Sequence, residues 1–180
     1  RTANDTLVAV GVLSTASPGH TKRRRAVRDT WIPSPSAVVR FVLRCSGLLQ
    51  NDSLFAEQRR CHDVVCTPVG EACGKASCRM RGPLLALFHW LRFAVKTFPM
   101  VNFVARADDD AWIHLPDIVR HLRSIPAKLT PNAYYGQFGY FTLLRNLALG
   151  SYAFQGYAPT SRLAGMVARS RGIAKQCSDA

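Results

Sequence analysis

With 180 residues, the chain is long enough to bury a real core, and its length favours a single domain covering residues 1–180. Hydrophobic residues make up 48% and charged residues 19% of the sequence, a balance that excludes long disordered tracts. Lysine and arginine number 24 against 11 aspartate and glutamate residues, so the net charge of +13 favours an anionic partner such as a nucleotide diphosphate, nucleic acid, acidic lipid or acidic glycan.

Apolar runs of strand length alternate with helical segments along the chain. A first strand at 7–15 precedes a loop at 18–20 and a basic helix at 21–31 that Thr21 would cap. The next elements are a strand at 38–45, a helix at 51–61 and a strand at 63–69. After a loop at 70–82, Pro83 starts the helix 84–97, and a fourth strand covers 102–107. An amphipathic helix at 115–124, a strand at 134–142 and a helix at 160–171 complete the prediction.

This alternation predicts an α/β fold with an open, mostly parallel sheet flanked by helices. Ligands of such sheets bind at the carboxyl ends of the strands, where the fourth strand delivers Asp108, Asp109 and Asp110. Adjacent carboxylates raise one another's pKa unless a cation neutralises them, and oxygen ligands suit Mg²⁺ or Mn²⁺. The triplet therefore predicts a metal site for a phosphorylated substrate, with an acidic surface turn as the alternative.

The six cysteines lack the paired C-x-x-C spacing of a zinc site, so we do not expect zinc. They suit either disulfides of an oxidising secretory compartment or buried free thiols, and the sequence does not give their pairing. The six are Cys45, Cys61, Cys66, Cys73, Cys78 and Cys177.

Several other residues have a plain structural interpretation. The basic run from Lys22 to Arg25 fits a solvated helix face. Trp31 and Trp112 are expected to be core aromatics, and Arg28 to pair with an acid if it does not bind ligand. The histidines share no spacing with a carboxylate and are interpreted as surface or core residues: His20, His62, His89, His114 and His121.

Four segments together resemble glycosyltransferase family 31, the beta-1,3-galactosyltransferase-like enzymes. Residues 23–31 (RRRAVRDTW) are similar to the family's R-R-x-A-I-R-x-T-W, and residues 103–113 (FVARADDDAWI) to its F-x-x-K-x-D-D-D-V-F-V. Residues 134–136 (YYG) match its Y-x-G strand, and residues 154–162 (FQGYAPTSR) a diverged S-G-G-G-Y-V-L-S-R. The resemblance implies the GT-A fold, which binds nucleotide sugars.

The resemblance also implies roles for individual residues. Asp110 would bind Mn²⁺ or Mg²⁺ directly, Asp108 would reach the metal through water or hold the ribose, and Asp109 would face the donor sugar. Ser14 and Arg28 are candidates for the uridine and diphosphate, because the arginine fork suits phosphate oxygens.

The end of the chain matches the family pattern less well. Asp179 falls near the family's catalytic base, but Ser178 and Ala180 depart from its E-D-V motif. The family's metal-binding histidine would lie beyond Ala180, so we expect truncation at the C-terminal end. A lysine expected before the long helix is absent, and Arg81 is the nearest basic substitute.

The implied activity is inverting transfer of galactose or N-acetylglucosamine from a UDP-sugar to a glycan or glycoprotein hydroxyl, with a beta-1,3 linkage and no nucleic-acid partner. The family resemblance also implies that this chain is part of a single-pass type II membrane protein and lies in the Golgi lumen. No apolar run reaches the roughly 18 to 20 residues that cross a bilayer. The chain begins with Arg1, not methionine, and its basic, polar first residues do not resemble a signal peptide. We therefore expect the membrane anchor to lie outside this chain. The alternatives are a decayed family member and a basic module for anionic polymers.

Overall fold

One six-stranded sheet organises the part of the chain that the computed structural model describes, residues 7–31, 35–46, 52–70, 76–136 and 152–156. The sheet order is β3-β2-β1-β4-β6-β5. β1 pairs in parallel with β2 and β4, and β2 with β3, whereas β6 runs antiparallel to β4 and β5. The strands are β1 (Val8–Ser14), β2 (Ala37–Ser46), β3 (Val64–Gly70), β4 (Phe103–Asp108), β5 (Tyr134–Gly136) and β6 (Tyr152–Gly156).

Helices connect the parallel strands, as expected for crossover connections. They are α1 (Pro18–Thr30), α2 (Asp52–Cys61) and α3 (Ala76–Thr97). A fourth helix, α4 (Leu115–Arg123), follows β4, and a short 3-10 helix covers Thr130–Asn132. The predicted α/β class is confirmed, and the sheet with its flanking helices is consistent with the GT-A-like fold that the resemblance implies. The antiparallel strand β6 was not predicted.

Two predicted helix starts are wrong. α1 begins at Pro18, so the residues predicted as a loop at 18–20 are helical and Thr21 lies inside the helix. Proline suits the first helical position because its missing N–H would be unpaired there. α3 begins at Ala76 and contains Pro83, although residues 70–82 were predicted as a loop. An internal proline costs a helix one hydrogen bond but does not always end it.

Two further predicted elements lie partly or wholly outside the described residues. The strand predicted at 134–142 is found as Tyr134–Gly136, and its remaining residues lie outside the described ranges. The helix predicted at 160–171 also lies outside them.

Apolar side chains pack on both faces of the sheet. On one face, β1 contributes Val8, Val10 and Val12 to a cluster that includes α4. On the other face, Trp90 of α3 is fully buried against the sheet. Three residues of α4 expected on its apolar face are buried: Ile118, Val119 and Leu122.

The two tryptophans expected in the core differ. Trp31 is buried, with 4% of its surface exposed, whereas Trp112 is 71% exposed, which contradicts the expectation. The next residue, Ile113, takes the core position instead and is 1% exposed. One residue of this turn therefore points inward and its neighbour points outward.

A disulfide joins Cys45 of β2 to Cys66 of β3. Among the described cysteines Cys61 is free, and Cys73 and Cys177 lie outside the described ranges. Nothing in the structure tests the division into domains, so the single domain stays a prediction. None of the helices described is both long and apolar enough to cross a bilayer.

Candidate active site

The carboxyl ends of β1 and β4 lie side by side and carry the polar residues of the site. Leu13 of β1 is paired with Asp108 of β4, so the residues that follow each strand meet at the same edge of the sheet. A pocket of about 310 Å³ opens there, within the range of small-ligand sites. Its lining includes Leu13, Ser14, Thr15, His20, Arg23, Val42, Arg44, Pro83, Ala86, Asp108, Asp109 and Asp110.

Asp109 is held inside the protein by three side chains. The Ser14 hydroxyl donates to its Oδ2 at 2.6 Å, and Nδ1 of His20 lies 2.5 Å from the same oxygen. A guanidinium nitrogen of Arg23 lies 3.3 Å from Oδ1. With a side chain only 4% exposed, Asp109 is committed to protein partners.

Asp110 faces solvent. Its side chain is 61% exposed, and Arg23, which also contacts Asp109, lies 3.3 Å from its Oδ2. The guanidinium of Arg23 therefore bridges two neighbouring carboxylates and partly neutralises them.

Asp108 combines partial burial with like-charged neighbours. Burial raises the pKa of its carboxyl above the usual 3.8; the charge of Arg106 opposes this rise, and the charges of Asp110 and Asp109 add to it. Arg106 donates to Oδ2 of Asp108 at 2.8 Å. A cation bound here would lower the cost of ionising Asp108, which is the effect expected at a metal site.

The acids at the pocket suit a divalent cation shared with a ligand better than a cage built by the protein alone. Within the residues described, no group of three His, Cys, Asp or Glu side chains is arranged to hold a metal ion. Mg²⁺ is usually held by one or two carboxylates together with substrate phosphates. Asp108 and Asp110 both line the pocket and supply such oxygens, so they fit the predicted Mn²⁺ or Mg²⁺.

The residues predicted to form the site are only partly brought together. Ser14 and the acid triplet line the pocket, but Arg28 is not among its lining residues. Arg28 instead makes two hydrogen bonds to Asp63, at 2.7 and 2.8 Å, and one to Glu57 at 2.7 Å. Arg28 therefore pairs with acids, which was the alternative predicted for it if it does not bind ligand.

The predicted base cannot be placed, and the structure does not test the role of Asp179. This residue lies outside the described ranges, as does the last segment of the family resemblance beyond Gly156. Arg81 was expected as the basic residue before the long helix, but it lies within α3. Arg44 of β2 is a basic residue that lines the pocket.

Two histidines interpreted as having no carboxylate partner are in fact paired. Nδ1 of His20 contacts Asp109, 89 residues away, which no local spacing could reveal. Nδ1 of His114 lies 2.6 Å from Asp117 in the first turn of α4, a spacing of three residues that the sequence did show. His20, Arg23 and Arg44 all line the pocket and are site residues that sequence reasoning missed.

Comparison with known proteins identifies relatives with named activities. The chain is 32% identical over 141 residues to the Homo sapiens UDP-GlcNAc:betaGal beta-1,3-N-acetylglucosaminyltransferase 8, covering 74% of this chain and 34% of that protein. The Mus musculus protein of the same name is 30% identical over 128 residues, or 68% of this chain and 31% of the relative. The Danio rerio lactosylceramide 1,3-N-acetyl-beta-D-glucosaminyltransferase A is 28% identical over 134 residues, or 67% of this chain and 34% of the relative.

The similarity covers only part of each relative. The chain spans about a third of the length of the curated relatives it matches. No protein-family model matches the chain.

Proposed function

We propose that this chain, a homologue of the beta-1,3-N-acetylglucosaminyltransferases of glycosyltransferase family 31, forms the donor-binding part of an inverting, metal-dependent glycosyltransferase. The proposed reaction moves N-acetylglucosamine from a UDP-sugar to a glycan hydroxyl with a beta-1,3 linkage. The names of the relatives favour N-acetylglucosamine over galactose as the donor sugar. A glycan or glycoprotein acceptor and residence in the Golgi lumen are parts of the same proposal.

One observation carries the proposal: three acids and three basic side chains share the walls of one pocket. The acids Asp108 to Asp110 lie beside His20, Arg23 and Arg44. A simple anion site would not have three acids in its lining, and a simple cation site would not need guanidinium groups. A diphosphate bound together with a divalent cation needs both kinds of group.

The residues of the site have distinct roles in this proposal. Asp110, with its exposed carboxylate, and Asp108 would hold Mn²⁺ or Mg²⁺. When bound, the metal supplies Lewis-acid stabilisation of the charge that grows on the departing diphosphate. Asp109 is turned into the protein, so its proposed contact with the donor sugar is replaced by a positioning role toward His20 and Arg23.

The basic side chains would complete the donor site. Arg23 and Arg44 line the pocket from α1 and β2, where their N–H groups suit phosphate oxygens. Asp179 stays the proposed base that takes the proton of the acceptor hydroxyl. An inverting reaction needs only one such base, because attack and departure occur in a single in-line step.

Calorimetric titration with UDP, with and without Mn²⁺, tests this proposal on the wild type and on Asp110→Asn. We expect metal-dependent binding that weakens at least tenfold in the variant, because even outer-shell partners of a metal contribute about 10- to 100-fold to its affinity. Asp117→Asn is the matched control, since Asp117 is an exposed carboxylate of α4 that is not part of the pocket lining. UDP binding that needs no metal and ignores Asp110→Asn would contradict the proposal.

A further inference from the structure

Arg24 lies behind the pocket and is almost completely buried, with a side chain 1% exposed. A guanidinium has five N–H groups, and all five are used here. Two of them hold both oxygens of Glu57 on α2, at 2.9 and 2.6 Å. The others reach the Thr21 hydroxyl at 3.0 Å, the Thr15 carbonyl at 2.5 Å and the Ser14 hydroxyl at 3.0 Å.

The hydrogen bond from Arg24 to Ser14 connects Arg24 to the candidate active site. Arginine only donates, so the Ser14 oxygen accepts from Arg24 and its single proton is left for another partner. That partner is the Oδ2 atom of Asp109, at 2.6 Å. We infer that Arg24 is a positioning residue, which orients the Ser14 hydroxyl and through it holds Asp109 in place beneath the donor pocket. The inference rests on the proposed function, because it assigns Arg24 a task in donor binding.

Neighbouring charges allow Arg24 to stay buried. Glu57 is itself 5% exposed and balances the positive charge of Arg24. Arg28 donates to Glu57 at 2.7 Å and is held in turn by Asp63. Two arginines and two acids therefore form a chain of ion pairs that links α1, α2 and Asp63, the residue before β3. A buried ion pair is a poor source of stability, so its directional bonds are the feature to test.

Asp109 also contacts two basic side chains that line the pocket. Its Oδ2 atom also contacts Nδ1 of His20, and its Oδ1 atom contacts Arg23. An Asp109 that loses the Ser14 bond keeps only its contacts with His20 and Arg23, so the position of both basic side chains is less firmly fixed. Arg24 thus acts on groups that face the ligand although it does not line the pocket itself.

Substitution of Arg24 by lysine tests the inference, because lysine keeps the charge but not the fork that holds two partners at once. Calorimetry would measure Mn²⁺-dependent UDP affinity in Arg24→Lys, in Ser14→Ala and in their combination. We expect each single variant to bind about tenfold more weakly, and the combination no more weakly than either. Losses that multiply in the combination, or wild-type affinity in Arg24→Lys, would overturn the inference. Arg25→Lys on the exposed face of α1 is the control, since the Arg25 side chain is 84% exposed.

A stability measurement decides the inference even if the wild type binds no UDP, a result that would count against the proposed function alone. A double-mutant cycle of Ser14→Ala and Asp109→Ala on urea unfolding gives their coupling, expected on the order of tenfold in the unfolding constant. In the Arg24→Lys background this coupling should fall to about twofold or less. Equal coupling in both backgrounds would overturn the role of Arg24. Should Arg24→Lys fail to fold, Arg24→Met with Glu57→Gln removes the buried charge pair together, and the same cycle applies.

Discussion

The indole ring of Trp90 lies directly on the backbone of Gly11, so that any side chain at this position of β1 would overlap the ring atoms. Trp90 is fully buried, and its Nε1 donates to the carbonyl oxygen of Ala105 at 2.8 Å. This contact fixes α3 against the two central strands, β1 and β4, whose ends carry the candidate site.

Gly11→Ala should therefore lower the free energy of unfolding by about 1 to 3 kcal/mol, the usual cost of overpacking a core. Urea unfolding would measure the change. Gly19→Ala is the control, because nothing lies within 4 Å of a β-carbon added there in the first turn of α1. A Gly11→Ala protein as stable as the wild type would show that Trp90 does not sit on this strand.

The Cys45–Cys66 disulfide should stabilise the pairing of β2 with β3. It closes a loop with a sequence separation of 21 residues, for which loop entropy predicts about 3 kcal/mol. We expect Cys45→Ser with Cys66→Ser to lose about this amount in denaturant unfolding, and reductant to have the same effect on the wild type. Cys61→Ser, at a free cysteine, should retain the wild-type response to reductant. A double variant that is as stable as the oxidised wild type would disprove the bond.

Ionisation of Glu57 should make the free energy of unfolding depend on pH in the acidic range. Burial alone would raise the pKa of its carboxyl, but hydrogen bonds from Arg24 and Arg28 outweigh burial and hold the pKa below the usual 4.5. A lowered pKa in the folded state gives stability that is complete above pH 4.5 and is lost as the pH falls through the folded-state value. Glu57→Gln lacks this ionisation, so its deficit against the wild type in urea unfolding should shrink from about pH 7 to about pH 3. A deficit that does not change over this range would contradict the prediction.

Arg23 should compete with the metal. Its guanidinium lies 3.3 Å from oxygens of both Asp109 and Asp110, where a cation would also be attracted. Arg23→Ala removes this like charge, so calorimetry should show Mn²⁺ alone binding about threefold or more tightly. UDP in saturating Mn²⁺ should bind more weakly, because a phosphate donor is lost.

The matched control for this prediction is Arg25→Ala, which removes a charge from the same helix at a side chain 84% exposed. It should leave both titrations unchanged. An Arg23→Ala variant that shifts both affinities in the same direction would contradict the assigned roles.

Local sequence patterns were sufficient for most of the fold because each parallel strand is a short apolar run. The position of Asp108 to Asp110 at the end of β4 followed from the same pattern. The starts of α1 and α3 could not be found this way, because Pro18 was assigned to a loop and Pro83 was taken as the first residue of a helix that in fact begins at Ala76.

Side-chain pairing within the site could not be predicted from local spacing. Glu57 and Arg24 are 33 residues apart in sequence, and His20 and Asp109 are 89 apart. Both pairs come into contact only when the sheet has formed. Arg28 illustrates the limit of a motif, since the sequence could not distinguish a phosphate partner from the acids that it contacts in the structure.

The most direct test of the central proposal is an anomalous difference map, at the manganese edge, of crystals of this protein grown with Mn²⁺ and UDP. We predict one strong peak in contact with the Asp110 carboxylate and close to Asp108, with the diphosphate lying between the metal and Arg23. A peak at another place, or UDP bound outside this pocket, would contradict the assignment of the acid triplet as a metal-dependent donor site.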